Sequence, residues 1–168
     1  VPATTVYCKL ANSVYPDFAD DNALRTVDIT IDKAIDPAFT FESGLTGNLA
    51  FTIEASEVGT MSVDWGNGIF TPFHQTTSAT TLTTAEYTAN NTVKVYTLGV
   101  TGLNISSQEL TSLDVSNLGS LVSLNCSQNK LVILDMNSNL LLSELNCSDN
   151  SLLFSTLPQS STLQSYSY

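Results

Sequence analysis

Between Val100 and Tyr168 the chain repeats itself every 21 residues, reading VTGLNI from Val100, LVSLNC from Leu121, LSELNC from Leu142 and LQSYSY from Leu163. A period of this kind gives each repeat one apolar face that it cannot bury alone, so successive repeats must stack. Stacking assigns a job to each position. Val100, Leu121, Leu142 and Leu163 should point inward. So should Leu103, Leu124, Leu145 and Tyr166, and then Ile105, Cys126, Cys147 and Tyr168, which makes twelve core positions. Leu113, Asp114 and Val115 recur 21 residues later as Leu134, Asp135 and Met136, so the return side of each repeat also reads as extended chain. So short a repeat leaves little room for a helix of about three turns, which predicts a nearly helix-free solenoid.

The strings LVSLNCSQNKL and LSELNCSDNSL are very similar to the leucine-rich-repeat consensus. The half-repeats LDVSN and LDMNS resemble those of bacterial surface proteins of the internalin-like and BspA-like kind. This resemblance implies that Asn129 and Asn150 use buried amides to satisfy backbone groups where the chain leaves each strand. In the first repeat Gln108 stands where the asparagine belongs. Adhesion or ligand recognition, without catalysis, is the function the resemblance implies.

Cys126 and Cys147 share one inward slot on strands about 4.8 Å apart, within reach of a disulfide. Ile105 and Tyr168 fill the same slot in the flanking repeats, and a buried thiol behaves as a small hydrophobe. Both therefore read as reduced core residues. Zinc would need two further ligands, so no metal is expected. With Cys8 the cysteines number 3, too few for a disulfide framework, and at least one stays unpaired.

Outward positions of the same strands form ladders. Asn104, Asn125 and Asn146 make one, Ser106, Ser127 and Ser148 the next, and Gly102, Ser123 and Glu144 precede them. This surface is polar and lacks the Trp, Tyr and Arg that dominate protein-binding hot spots. Asn104, Asn125, Asn146, Glu144 and Asp149 are the candidate ligand-binding residues. The competing reading is that the ladders only keep an exposed sheet soluble.

Upstream of the repeats the periodicity changes to 2, the signature of half-buried strands. Val27, Ile29 and Ile31 alternate with polar residues, as do Leu49, Phe51 and Ile53, then Met61, Val63 and Trp65. Gly66, Asn67 and Gly68 suit a tight hairpin before IFTPF, and Asn90 and Asn91 suit another turn after Tyr87. VDWGNG followed by EYTANNTVKVY resembles the PKD-type immunoglobulin-like sandwich over about residues 45–98, with Asn67 where Asp is commoner. That likeness implies a tyrosine before a hairpin and a spacer or adhesion module. Residues 1–44 should add strands to it. Asp17–Asn22, with its three carboxylates, reads as a solvated acidic turn, since it lacks the glycine and distal Glu of an EF-hand loop. His74 is the only histidine and has no partners at catalytic or metal-binding spacing.

Lys and Arg total 5 against 16 Asp and Glu, a formal charge of −11 that repels nucleic acid and anionic membranes alike. No apolar run reaches the roughly 18 residues of a membrane span. The expected molecule is therefore mainly β, with residues 1–98 a β-sandwich and residues 99–168 about four leucine-rich repeats whose N-terminal end the sandwich caps. No catalytic residue or cofactor is expected. Its composition and its start at Val1 rather than Met fit an extracellular or cell-surface protein, lipid-anchored through another segment, that binds a protein or glycan ligand. The other readings are a structural spacer and a carbohydrate-binding accessory protein. The C-terminal edge is the expected place for end-on self-association.

Overall fold

The computed structural model describes residues 36–153 together with the backbone of residues 165–167. All of them belong to one compact unit that starts at Asp36. The strand expected at Val27–Ile31, the acidic Asp17–Asn22 segment, Cys8, Leu163 and Tyr168 lie outside the described residues, and so does the Tyr166 side chain.

The described chain is mainly β and contains no helix. Eleven strands follow in order: β1 Phe39–Ser43, β2 Gly47–Ala55, β3 Gly59–Asp64, β4 Phe70–Gln75, β5 Thr80–Tyr87, β6 Thr92–Tyr96, β7 Val100–Asn104, β8 Leu110–Asp114, β9 Ser123–Asn125, β10 Glu144–Asn146 and β11 Ser165–Ser167. They form a five-stranded sheet in the order β4-β3-β6-β1-β8 and a six-stranded sheet in the order β11-β10-β9-β7-β2-β5. Both sheets run across the expected division at residues 98 and 99. β8 pairs with β1 and β7 with β2, each antiparallel.

The sheets face each other across one core, an arrangement compatible with a β-sandwich. Strand alternation turns Phe39 and Phe41 of one sheet toward Phe51 of the other, with ring centroids 5.6 and 5.5 Å apart in edge-on contacts. Trp65 extends the cluster, 5.9 Å from Phe51 and 6.4 Å from Phe73. Such edge-to-face pairs suit the ring quadrupole.

Turn chemistry places the hairpin between β3 and β4 as expected. Gly66 and Gly68 both have positive φ, and the Asp64 carboxylate accepts their two N–H groups at 2.9 Å. The turn at Asn90 and Asn91 is present too, with Asn90 at φ 64, but it is not a hairpin: β5 and β6 belong to different sheets, so it carries the chain across the core. Tyr87 fixes this crossing. Its hydroxyl accepts the Ser43 N–H at 3.1 Å and donates to the Asn91 carbonyl at 2.6 Å. The Thr-rich stretch before Tyr87 forms β5, because β-branched threonines suit a pleated edge and Leu82 anchors it in the core.

Within the six-stranded sheet, β7, β9, β10 and β11 pair in parallel. Gly102, Leu103 and Asn104 lie beside Ser123, Leu124 and Asn125, which lie beside Glu144, Leu145 and Asn146, each step one 21-residue period. Nine of the twelve expected core positions have described side chains, and all nine are buried. β11 continues this series at the sheet edge opposite β5.

Candidate functional site

Where each repeat leaves its strand, backbone groups lose their sheet partners, and an asparagine replaces them. Asn129 Nδ2 donates to the carbonyls of Ile105, Cys126 and Ser127 at 3.0, 2.9 and 3.2 Å. Its Oδ1 accepts the N–H groups of Gln108 and Leu110, both at 3.0 Å. Asn150 repeats the pattern one period on, donating to Cys126 and Cys147 and accepting from Leu131, each at 3.0 Å. Their role is structural, and it ties each repeat to the one before. Cys126 and Cys147 are reduced and buried beneath these turns. Burial, with a smaller contribution from Cys147, pushes the Cys126 thiol up to about 12.

Four of the five candidate ligand-binding residues, Asn104, Asn125, Asn146 and Glu144, sit on strands of the six-stranded sheet, on its outer face. Register brings Asn104, Asn125 and Asn146 into one row. That row extends beyond the repeats to Thr52 on β2 and Thr81 on β5, an extension that local sequence patterns could not supply. Each asparagine Oδ1 is turned back along the chain, accepting the N–H of the serine two residues on at 3.2 Å and its hydroxyl at 2.8 or 2.9 Å. Oδ1 is thus committed to a turn. The Nδ2 groups, among the described residues, donate to no other side chain, so the row presents amide donors.

Glu144 lies in the neighbouring row, where Ser123 Oγ donates to its carboxylate at 3.3 Å. Glu54 enters the same row through Gly102. A Cβ on Gly102 would stand 3.3 Å from Glu54 Oε2, so the missing side chain lets that carboxylate lie across the sheet. Asp149 stands apart from the rows. With φ 54, it takes the left-handed conformation that Gln128 and Ser107 take one and two periods earlier, so its position serves the turn.

Three features escaped the sequence reading. Gln108 bridges to β2, its Oε1 accepting the Ala50 N–H at 2.9 Å. Asp114 and Asp135 build return-side turns, accepting the N–H groups of Ser116 and Asn137 at 3.0 and 2.9 Å; their 21-residue spacing, with a polar residue two positions on, was the available signal. Asn139, 2% exposed, donates to Val115 and Leu118 at 2.9 Å and leaves its Oδ1 buried without a partner. No cluster of three or more metal-ligating side chains occurs among the described residues, and no helix there is long and apolar enough to cross a membrane. No family model matches the chain, and neither a curated protein nor a solved structure matches it.

Proposed function

We propose that this chain is a non-enzymatic extracellular or cell-surface recognition module, in which a PKD-like immunoglobulin-type sandwich continues into a short leucine-rich-repeat solenoid. Support for the solenoid comes from the parallel pairing of β7, β9 and β10 at the 21-residue interval and from the asparagines that join successive repeats. Support for recognition comes from the row of amide donors at Asn104, Asn125 and Asn146, spaced by the strand separation of about 4.8 Å. A protein or glycan ligand rich in hydrogen-bond acceptors suits such a row.

The reading as a structural spacer is favoured by a different observation: every Oδ1 in the row is spent on its own turn. Binding of the isolated chain to an array of glycans and extracellular proteins separates the two. Recognition through the row requires saturable binding that Asn125→Lys and Asn146→Lys abolish. A spacer shows no such binding, or binding indifferent to both substitutions.

A further inference from the structure

The outer face of the five-stranded sheet has a different chemistry. β4 alternates so that Phe73 packs against the core while Phe70, Pro72 and His74 are exposed. On β6, Lys94 and Tyr96 fall on the same outer face, alternating with the buried Val93 and Val95. β3 runs between them, with Ser62 opposite Pro72 on one side and Tyr96 on the other. Because Ser62 is small, the rings of Phe70 and Tyr96 meet over β3, their centroids 5.4 Å apart and their planes at 59°. Nothing among the described residues covers the pair. Phe70 remains 56% exposed and the adjoining Ile69 67%. Single exposed hydrophobic residues are ordinary, but a contiguous patch framed by polar groups marks an interaction site.

Charge decides what the patch fits. The chain carries −11, yet Phe70, Pro72, His74, Ser62 and Tyr96 include no carboxylate. On the described outer faces of β4, β3 and β6, Lys94 is the only formal charge exposed to solvent, since the neighbouring Asp64 is buried and its carboxylate is held by the Gly66 and Gly68 N–H groups; Glu42 and Asp114 stand farther along the sheet, on β1 and β8. The overall field repels anionic polymers, and the patch itself offers a cationic partner nothing to pair with. What remains is an uncharged ligand having an apolar face and a hydroxyl rim. A pyranose ring has both: its C–H face stacks on aromatic rings, and its hydroxyls reach Ser62, His74 and Lys94.

We propose that the outer face of β4, β3 and β6 binds a neutral glycan, with Phe70 and Tyr96 as its stacking residues. This site is independent of the asparagine row on the other sheet. Affinity electrophoresis of the full chain in native gels containing hydroxyethylcellulose, xylan or galactomannan tests it, with polygalacturonate as the anionic comparison. At least one neutral polymer should retard the chain and polygalacturonate should not. Phe70→Ala and Tyr96→Ala should each weaken retention about tenfold, the scale of one lost aromatic contact, whereas Tyr96→Phe should keep it. Leu141→Ser, which removes an exposed apolar side chain in the loop between β9 and β10, should leave retention unchanged. The proposal is overturned if no neutral polymer retards the chain, if polygalacturonate retards it equally, or if both alanine variants, shown folded by their melting temperatures, migrate as the parent does. Loss of retention in Leu141→Ser would also overturn it, by showing that retention follows exposed apolar residues in general.

Discussion

Gln108 and Ala50 lie 58 residues apart, and the side-chain Oε1 of one accepts the backbone N–H of the other at 2.9 Å. The residue that looks like a defect in the first repeat thus adds a side-chain tie to β2 beside the β7–β2 pairing. Asparagine at this position would be one methylene shorter. Gln108→Asn is expected to lose the bond to Ala50 and about 1 kcal/mol of stability, and amide hydrogen exchange at Ala50 should accelerate. Unchanged protection at Ala50 would show that the bond contributes nothing.

Asn129 makes five hydrogen bonds from one buried side chain. Asn129→Leu keeps the volume but strands the backbone groups it served, at about 1–3 kcal/mol for each group left without a partner or water. Urea denaturation should show a loss of about 3 kcal/mol or more, and Asn150→Leu, at a less buried site, should lose less. Equal effects would mean that burial does not set the cost.

Cys126 makes stability depend on alkaline pH. Its thiol rises from the ordinary 9.0 to about 12 in the fold. The unfolded chain therefore ionises first, so the contribution is complete below pH 9 and disappears as the pH climbs toward 12. Three pKa units correspond to about 4 kcal/mol at most. Cys126→Ala should be less stable at pH 7, because a cavity forms, but should lose less additional stability between pH 9 and pH 11. Parallel pH profiles of urea midpoints for the two proteins would contradict this.

Gly66 and Gly68 separate two causes of glycine's use in one turn. Both have positive φ, but a Cβ on Gly66 would stand 2.4 Å from the Asn91 Cβ, while a Cβ on Gly68 would meet nothing within 4 Å. Gly68→Ala should cost about 1 kcal/mol for backbone strain alone. Gly66→Ala should cost at least about 2 kcal/mol more, since two main-chain segments must move apart. Melting temperatures of the two variants measure the difference.

Tyr87→Phe removes the hydroxyl that joins Ser43 to Asn91. The expected loss is about 1–3 kcal/mol, because a buried N–H and a carbonyl lose their partner together. Chemical denaturation at pH 7 reads this directly, and a variant as stable as the parent would show that the crossing needs no such clamp.

Much of the inward face was legible in the chain. Leu103, Leu124 and Leu145 were readable because identical side chains at a constant interval do identical work in a stacked repeat, and parallel strands keep that interval as their register. Asn129 and Asn150 were readable for the same reason. The outer face was less so. Asn104, Asn125 and Asn146 form the expected row, but their carbonyl oxygens turn back onto serines two residues on, a choice made by local geometry once the strand ends. Asp149, read as a candidate ligand group, takes a left-handed conformation in its turn, which no residue spacing announced.

Sequence alone determined the period, the alternation of apolar positions and the turn residues, since these are local properties fixed by 3.3 Å-scale strand geometry and by which residues tolerate positive φ. Only the tertiary structure decided what those strands stand beside. The pairing of β7 with β2, the reach of Gln108 to Ala50 and the meeting of Phe70 with Tyr96 over Ser62 join residues distant along the chain. No local pattern specifies such partners, because the same alternation is satisfied by any neighbour that covers the same apolar face.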